Sequence, residues 1–211
     1  LYRNWKMPLS SQSLDTPYIE PLGILPTSGA VPYVRDHNGT VQILSASGNR
    51  YNSEIASLAL VNEAGGYYPQ RFSAGQYQME YLFRIHPYLE CDQELCHWNL
   101  MLANEHLPYR KIAIYIHDPD ELIVELFTHP QLRTQKEGEI WVITGGSPKD
   151  ELIEVEMLLL PQAANIIEGF SREVSNVYQR TVSAQEGEGS SLLFVLRTLV
   201  AALPLLLILV Y

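Results

Sequence analysis

Ile153-Glu154-Val155-Glu156-Met157 is the stretch whose reading decides the fold. Apolar and acidic residues alternate, and in an extended chain successive side chains point to opposite faces. The segment is therefore expected to be a strand with Ile153, Val155 and Met157 in a core and Glu154 and Glu156 on a solvated outer face. Working outward, the same period recurs. Met79, Tyr81, Phe83 and Ile85 alternate with Glu80, Leu82, Arg84 and His86. Ile112, Ile114 and Ile116 alternate with Lys111, Ala113, Tyr115 and His117, until Asp118-Pro119-Asp120 stops the strand. Shorter candidates fall at 18–25, 31–35, 40–44, 55–62, 97–103, 121–127 and 139–144. Many short strands separated by Gly, Pro, Asn and Asp predict antiparallel sheets packed face to face, an antiparallel β-sandwich over residues 1–161. Asn38-Gly39 is expected to close a tight hairpin with positive φ at both central positions. Gly145-Gly146-Ser147-Pro148 reads as a wider loop.

After Pro161 the period lengthens. Ile166, Ile167, Phe170, Val174, Val177, Tyr178 and Val182 recur at three- and four-residue steps, which predicts an amphipathic helix over 162–185, roughly Ala163 to Ala184. Residues 186–191, Glu-Gly-Glu-Gly-Ser-Ser, read as a flexible joint. From Leu192 to Tyr211 the chain is an apolar run whose only charged residue is Arg197. That length is about what a hydrocarbon core of roughly 30 Å demands of a helix. Arg197 lies near the start, where it can extend to the interface, and Pro204 is tolerated inside a membrane helix. Leu205-Leu206-Leu207-Ile208-Leu209-Val210 has no polar face to turn to water, which disfavours a helix or strand of a soluble core. The expectation is a single-pass transmembrane helix over 192–211, truncated at Tyr211, with the lipid bilayer as its partner and the bulk of the chain extracytoplasmic.

Formal net charge is −10, and the apolar run contains only Arg197, so the acidic excess belongs to the part before it. An acidic body without a Lys/Arg cluster repels phosphate backbones, which excludes nucleic acid as a partner. It also stands off anionic lipid headgroups.

The segment from Glu80 to Leu160 resembles a known family. Tyr81-Leu82-Phe83-Arg84-Ile85 is followed by Cys96-His97-Trp98-Asn99-Leu100, by Pro108-Tyr109 and by Ile112-Ala113-Ile114-Tyr115-Ile116 ending near Asp118-Pro119. Together with Leu1-Tyr2-Arg3-Asn4-Trp5, this resembles the N-terminal domain of the predicted membrane proteins grouped as domain of unknown function 2207, from archaea and bacteria. The resemblance implies an extracytoplasmic sandwich tethered by a C-terminal membrane helix, and no catalytic residues. Cys91, Cys96 and the segment leading to the membrane do not map onto that pattern.

Cys91 and Cys96 leave three readings open. A disulfide would close a small loop, persist outside the cytoplasm and contribute about 2 kcal/mol. Two free, partly buried thiols are the second. Zinc held by Cys91, Cys96 and His97, with His86 or His106 as fourth ligand, is the third; the spacing is not that of a zinc ribbon. Trp98 is expected to face the core and His97 solvent. His86 and His129, each before a proline, read as strand-end residues. Ser147 is a weak nucleophile candidate, because Pro148 removes the N–H that would help form an oxyanion hole. Asp118 and Asp120 are a sparse candidate for calcium. Asn38-Gly39-Thr40 is an acceptor sequon for N-glycosylation.

The favoured expectation is therefore a membrane-anchored surface domain with a binding or cell-envelope assembly role and a protein partner, without catalysis and without a cofactor. The alternative is a metal-dependent hydrolase gathering Cys91, Cys96, His97, His86 and Asp92. A stalk that relays an outside event through the helix ranks last, since a Gly-containing joint transmits force poorly.

Overall fold

A computed structural model describes residues 2–4, 6–26 and 29–185. The chain is mainly β, with several sheets, and divides into two units. The first comprises Leu1–Tyr88 with Ile167–Phe170, and the second Leu89–Ile166 with the chain from Ser171 onward.

The first unit contains β1 (Tyr2–Asn4), β2 (Tyr18–Pro26), β3 (Val31–Arg35), β4 (Val41–Ile43), β5 (Glu63–Tyr67), β6 (Met79–His86) and a helix, α1 (Asn52–Leu58). One sheet has the order β1-β5-β3-β4, and β2 pairs antiparallel with β6. The alternation read in β6 is realised: Met79, Tyr81, Phe83 and Ile85 pack on a core of Leu9, Ile19, Ile24, Val34 and Ala64, while Leu82 is left exposed. The β3–β4 hairpin forms where expected, with a different turn. Gly39 has φ 84°, but Asn38 is not among the residues with positive φ. The Asp36 carboxylate closes the loop instead, accepting the N–H groups of Asn38 and Thr40 at 2.9 and 2.8 Å. The strand expected over 55–62 is not formed: residues 55–58 complete α1, and 59–62 are bend, loop and turn. Ile55 and Ala59, four residues apart, are buried together against Val31 and Tyr33. That spacing suits one helical face, and the tertiary contact favoured it over the extended alternative.

The second unit contains β7 (Tyr88–Cys91), β8 (Cys96–Ala103), β9 (Tyr109–His117), β10 (Ile123–His129), β11 (Arg133–Glu137), β12 (Ile140–Ser147), β13 (Ile153–Leu159), β14 (Phe170–Glu173), the short α2 (Ala163–Ile166), and a helix over 177–185, here α3. A five-stranded sheet has the order β10-β13-β8-β7-β14, and a three-stranded sheet the order β11-β12-β9. Strand β13 lies between β10 and β8, antiparallel to both, and is buried on both faces from Val155 to Leu159. Gly145 and Gly146, expected in a loop, lie inside β12 at a register shift. A Cβ on Gly146 would come within 3.0 Å of the Tyr109 carbonyl oxygen, so the close approach of β9 requires glycine there.

The continuous helix expected over 162–185 is not formed. Its place is taken by α2, by β14 and by α3. Gly169 explains the break: its Cα packs so tightly on Pro87 that a Cβ would lie 2.6 Å from the Pro87 carbonyl oxygen, and that carbonyl accepts the Phe170 N–H at 2.8 Å. Backbone pairing thus replaces helical bonds. Val177 and Thr181 are buried as one face of α3, whereas Tyr178, expected on the apolar side, is exposed. The joint at 186–191 and the apolar run at 192–211 lie outside the described residues. Among the described residues no helix is long and apolar enough to cross a membrane.

Candidate functional site

Antiparallel register places the functional side chains of the second unit. In β13, Glu154 stands opposite His129 of β10, and Glu156 stands opposite Asn99 of β8. Across the next pair, His97 of β8 stands opposite Glu90 of β7. Because residues two apart share a face, Glu90, His97, Asn99, Glu154, Glu156 and His129 form a polar band across four strands. The expectation of a solvated outer face for Glu154 and Glu156 needs correction: Glu156 is only 9% exposed.

The cover is α3. Gln185 Nε2 donates to Glu156 Oε2 at 2.9 Å. Val177, Arg180, Thr181 and Ala184 line a cleft of about 190 Å³ with Glu90, His97 and Glu156. The Asn99 amide donates to Glu154 Oε2 at 3.2 Å and to Glu156 Oε1 at 3.3 Å, which orients the two carboxylates together. His97 Nε2 lies 3.4 Å from Glu156 Oε2. That is within ion-pair reach, yet the buried nitrogen lacks the geometry of a hydrogen bond, so the contact is electrostatic. The nearby His97 ring holds the Glu156 carboxyl below its usual range, against burial, which pushes it up; the Gln185 amide and the His129 ring act with His97. One ligand atom each from His129, Glu154 and Glu156 lies within 4.8 Å of the others. A larger cleft, about 630 Å³, borders His129 and Gln185.

At the other end of the band, Arg172 forms a close ion pair with Glu90, and Arg180 reaches its second oxygen at 3.3 Å. The Arg172 hydrogen bond is the main cause that holds the Glu90 carboxyl below its usual range. Cys91 and Cys96 face each other in the β7–β8 register, their Cα atoms 4.0 Å apart and their sulfur atoms joined. Asp92, inside that loop, accepts the N–H groups of Glu94 and Leu95 at 2.9 and 2.8 Å and that of Val177 at 2.8 Å.

The cluster imagined for a hydrolase is not assembled. Both sulfurs are engaged with each other. His86 belongs to the first unit, stacked on Tyr18 at 4.2 Å. His106 has both ring nitrogens on backbone carbonyls, of Leu107 and Glu151, at 2.7 and 2.8 Å. Asp92 is occupied by backbone donors. Ser147 hydroxyl donates to Glu151 rather than to a histidine. Asp118, the sparse calcium candidate with Asp120, is buried and closes the turn into β10 by accepting the Leu122 and Ile123 N–H groups at 2.7 and 3.0 Å. Neither His97 nor Trp98 is fully buried or fully exposed. Asn38 is exposed at the tip of the β3–β4 hairpin. His129 is the residue that sequence reasoning missed, because only register shows that a strand-end histidine faces Glu154.

The described residues define a class: a mainly β protein of several sheets. The family model described as predicted membrane protein (DUF2207), N-terminal domain, matches residues 1–159, and the chain belongs to that family. No curated protein and no solved structure matches.

Proposed function

We propose that this chain is the extracytoplasmic part of a single-pass membrane protein, held at the bilayer through 192–211, and that it binds a partner or contributes to a cell-envelope assembly rather than catalysing a reaction. The observation that carries the reading is the position of α3. It precedes the apolar run in the sequence, and it is fastened to the sheet through Val177, Thr181 and Gln185. The family's membrane description supports the location. In this reading the sheets pack as a sandwich-like body in water, the Cys91–Cys96 bond belongs to an oxidising compartment, and exposed Asn38 is available as an acceptor.

The test uses the full chain in bacterial spheroplasts, with an epitope before Leu1. Alkaline carbonate should leave the chain in the membrane pellet, and an impermeant protease should remove the epitope without lysis. Release into the supernatant would exclude the anchor; an epitope cut only after lysis would place the body in the cytoplasm.

A further inference from the structure

We propose that His129, Glu154 and Glu156 form a binding site for a divalent, borderline-soft metal ion of the zinc type, with His97 beside Glu156 as the fourth ligand. The site is independent of the anchor, since every residue belongs to the second unit.

Four observations support it. The three ligand atoms lie within 4.8 Å of one another, and zinc bonds of roughly 2.0–2.1 Å set ligands about 3.3 Å apart in a tetrahedron, so modest side-chain rotations close the site. His97 Nε2 is buried without a hydrogen bond, and its 3.4 Å distance to Glu156 Oε2 already matches that separation. A buried imidazole nitrogen without a hydrogen bond is costly, and a cation in reach of its lone pair would satisfy it. Finally, the groups facing the two carboxylates are two amides and two imidazoles, Asn99, Gln185, His97 and His129. Arg180 lines the cleft beside Glu156 but reaches Glu90 Oε2 at 3.3 Å, and Glu90 holds a second arginine, Arg172.

The ligand chemistry selects the ion. Calcium and magnesium prefer oxygen-only shells, and imidazole nitrogen with carboxylate oxygen suits zinc and its first-row neighbours. Asn99 serves as an orienting residue rather than a ligand, its amide bridging Glu154 and Glu156. Glu154 and His129 are half-buried, which leaves an approach from solvent.

The full chain, purified in detergent and stripped with chelator, is titrated with zinc chloride by calorimetry and with cobalt chloride by visible absorption. One equivalent of zinc per chain is expected, with the intense cobalt bands of a tetrahedral centre. Asn99→Ala should weaken zinc by about 10–100-fold, the usual effect of losing an orienting partner. Glu154→Gln and His129→Gln, each checked for native circular dichroism, should weaken it further and abolish the cobalt bands. Cys91→Ser/Cys96→Ser should keep both. Absence of saturable binding, or binding that survives Glu154→Gln and His129→Gln, overturns the proposal. So does binding lost only with the cysteines.

Discussion

Asp92 Oδ2 accepts the backbone N–H of Val177 at 2.8 Å, across a sequence separation of 85 residues. The first N–H groups of a helix have no partner within it, and a side-chain acceptor at the N-cap normally supplies one. In α3 the residue before Val177 is Asn176, with φ 57°, and the acceptor comes from the β7–β8 turn. The cap is therefore tertiary.

Asp92→Ala should destabilise the second unit by about 1 kcal/mol, the usual loss for a helix cap. Amide exchange at Val177 should quicken more than at Val155. The Asp92 carboxyl is held below its usual range mainly by the Leu95 N–H, then by Val177 and Glu94. A lowered carboxylate value means that the stabilisation is complete above the ordinary Asp range, near 3.9, and fades as pH falls through the lower folded value. Urea melts of wild type and Asp92→Asn should therefore converge below that range. A stability difference unchanged at the lowest pH would refute the assignment.

Cys91→Ser/Cys96→Ser should lower stability by about 2 kcal/mol, the entropic effect of so short a loop. The same substitution should loosen Asp92, since that residue lies within the loop. Combining it with Asp92→Ala should then cost less than the two changes summed. Chemical denaturation of the three variants checks this, and thiol titration of the denatured wild type should find no free cysteine before reduction.

Gly169→Ala should destabilise the first unit by roughly 1–3 kcal/mol, because the neighbour that its Cβ would meet is the Pro87 backbone carbonyl, which cannot rotate away. Gly138→Ala is a control for the loss of glycine alone. Gly138 has φ 60° but open space around the missing Cβ, so its cost is conformational only. Thermal melts should rank Gly169→Ala as the more damaging.

Arg172→Ala should raise the Glu90 carboxyl toward its ordinary range more than Arg180→Ala does, since the Arg172 hydrogen bond is the leading cause of the lowering. Both arginines are more than half exposed, so each change should cost under about 1 kcal/mol. Carboxyl carbon chemical shifts followed against pH measure the order directly.

Local period was enough for much of the fold. Ile112, Ile114 and Ile116 of β9 are half-buried while Ala113, Tyr115 and His117 are exposed, as alternation requires. Strand β11, Arg133-Thr134-Gln135-Lys136-Glu137, carries no alternation in its sequence because every residue is polar and exposed. Its order comes from backbone pairing with β12, which leaves no apolar pattern to read.

The sequence by itself determined the mainly β class, the strands of β6, β9 and β13, and the family, because two-residue alternation and short motifs are properties of neighbouring residues. Tertiary structure alone decided that α3 covers Glu156, that His129 meets Glu154, and that a distant aspartate caps α3. Those facts depend on register and on which surface lies over which, and a strand's side-chain pattern says that it has two faces without saying what each one meets.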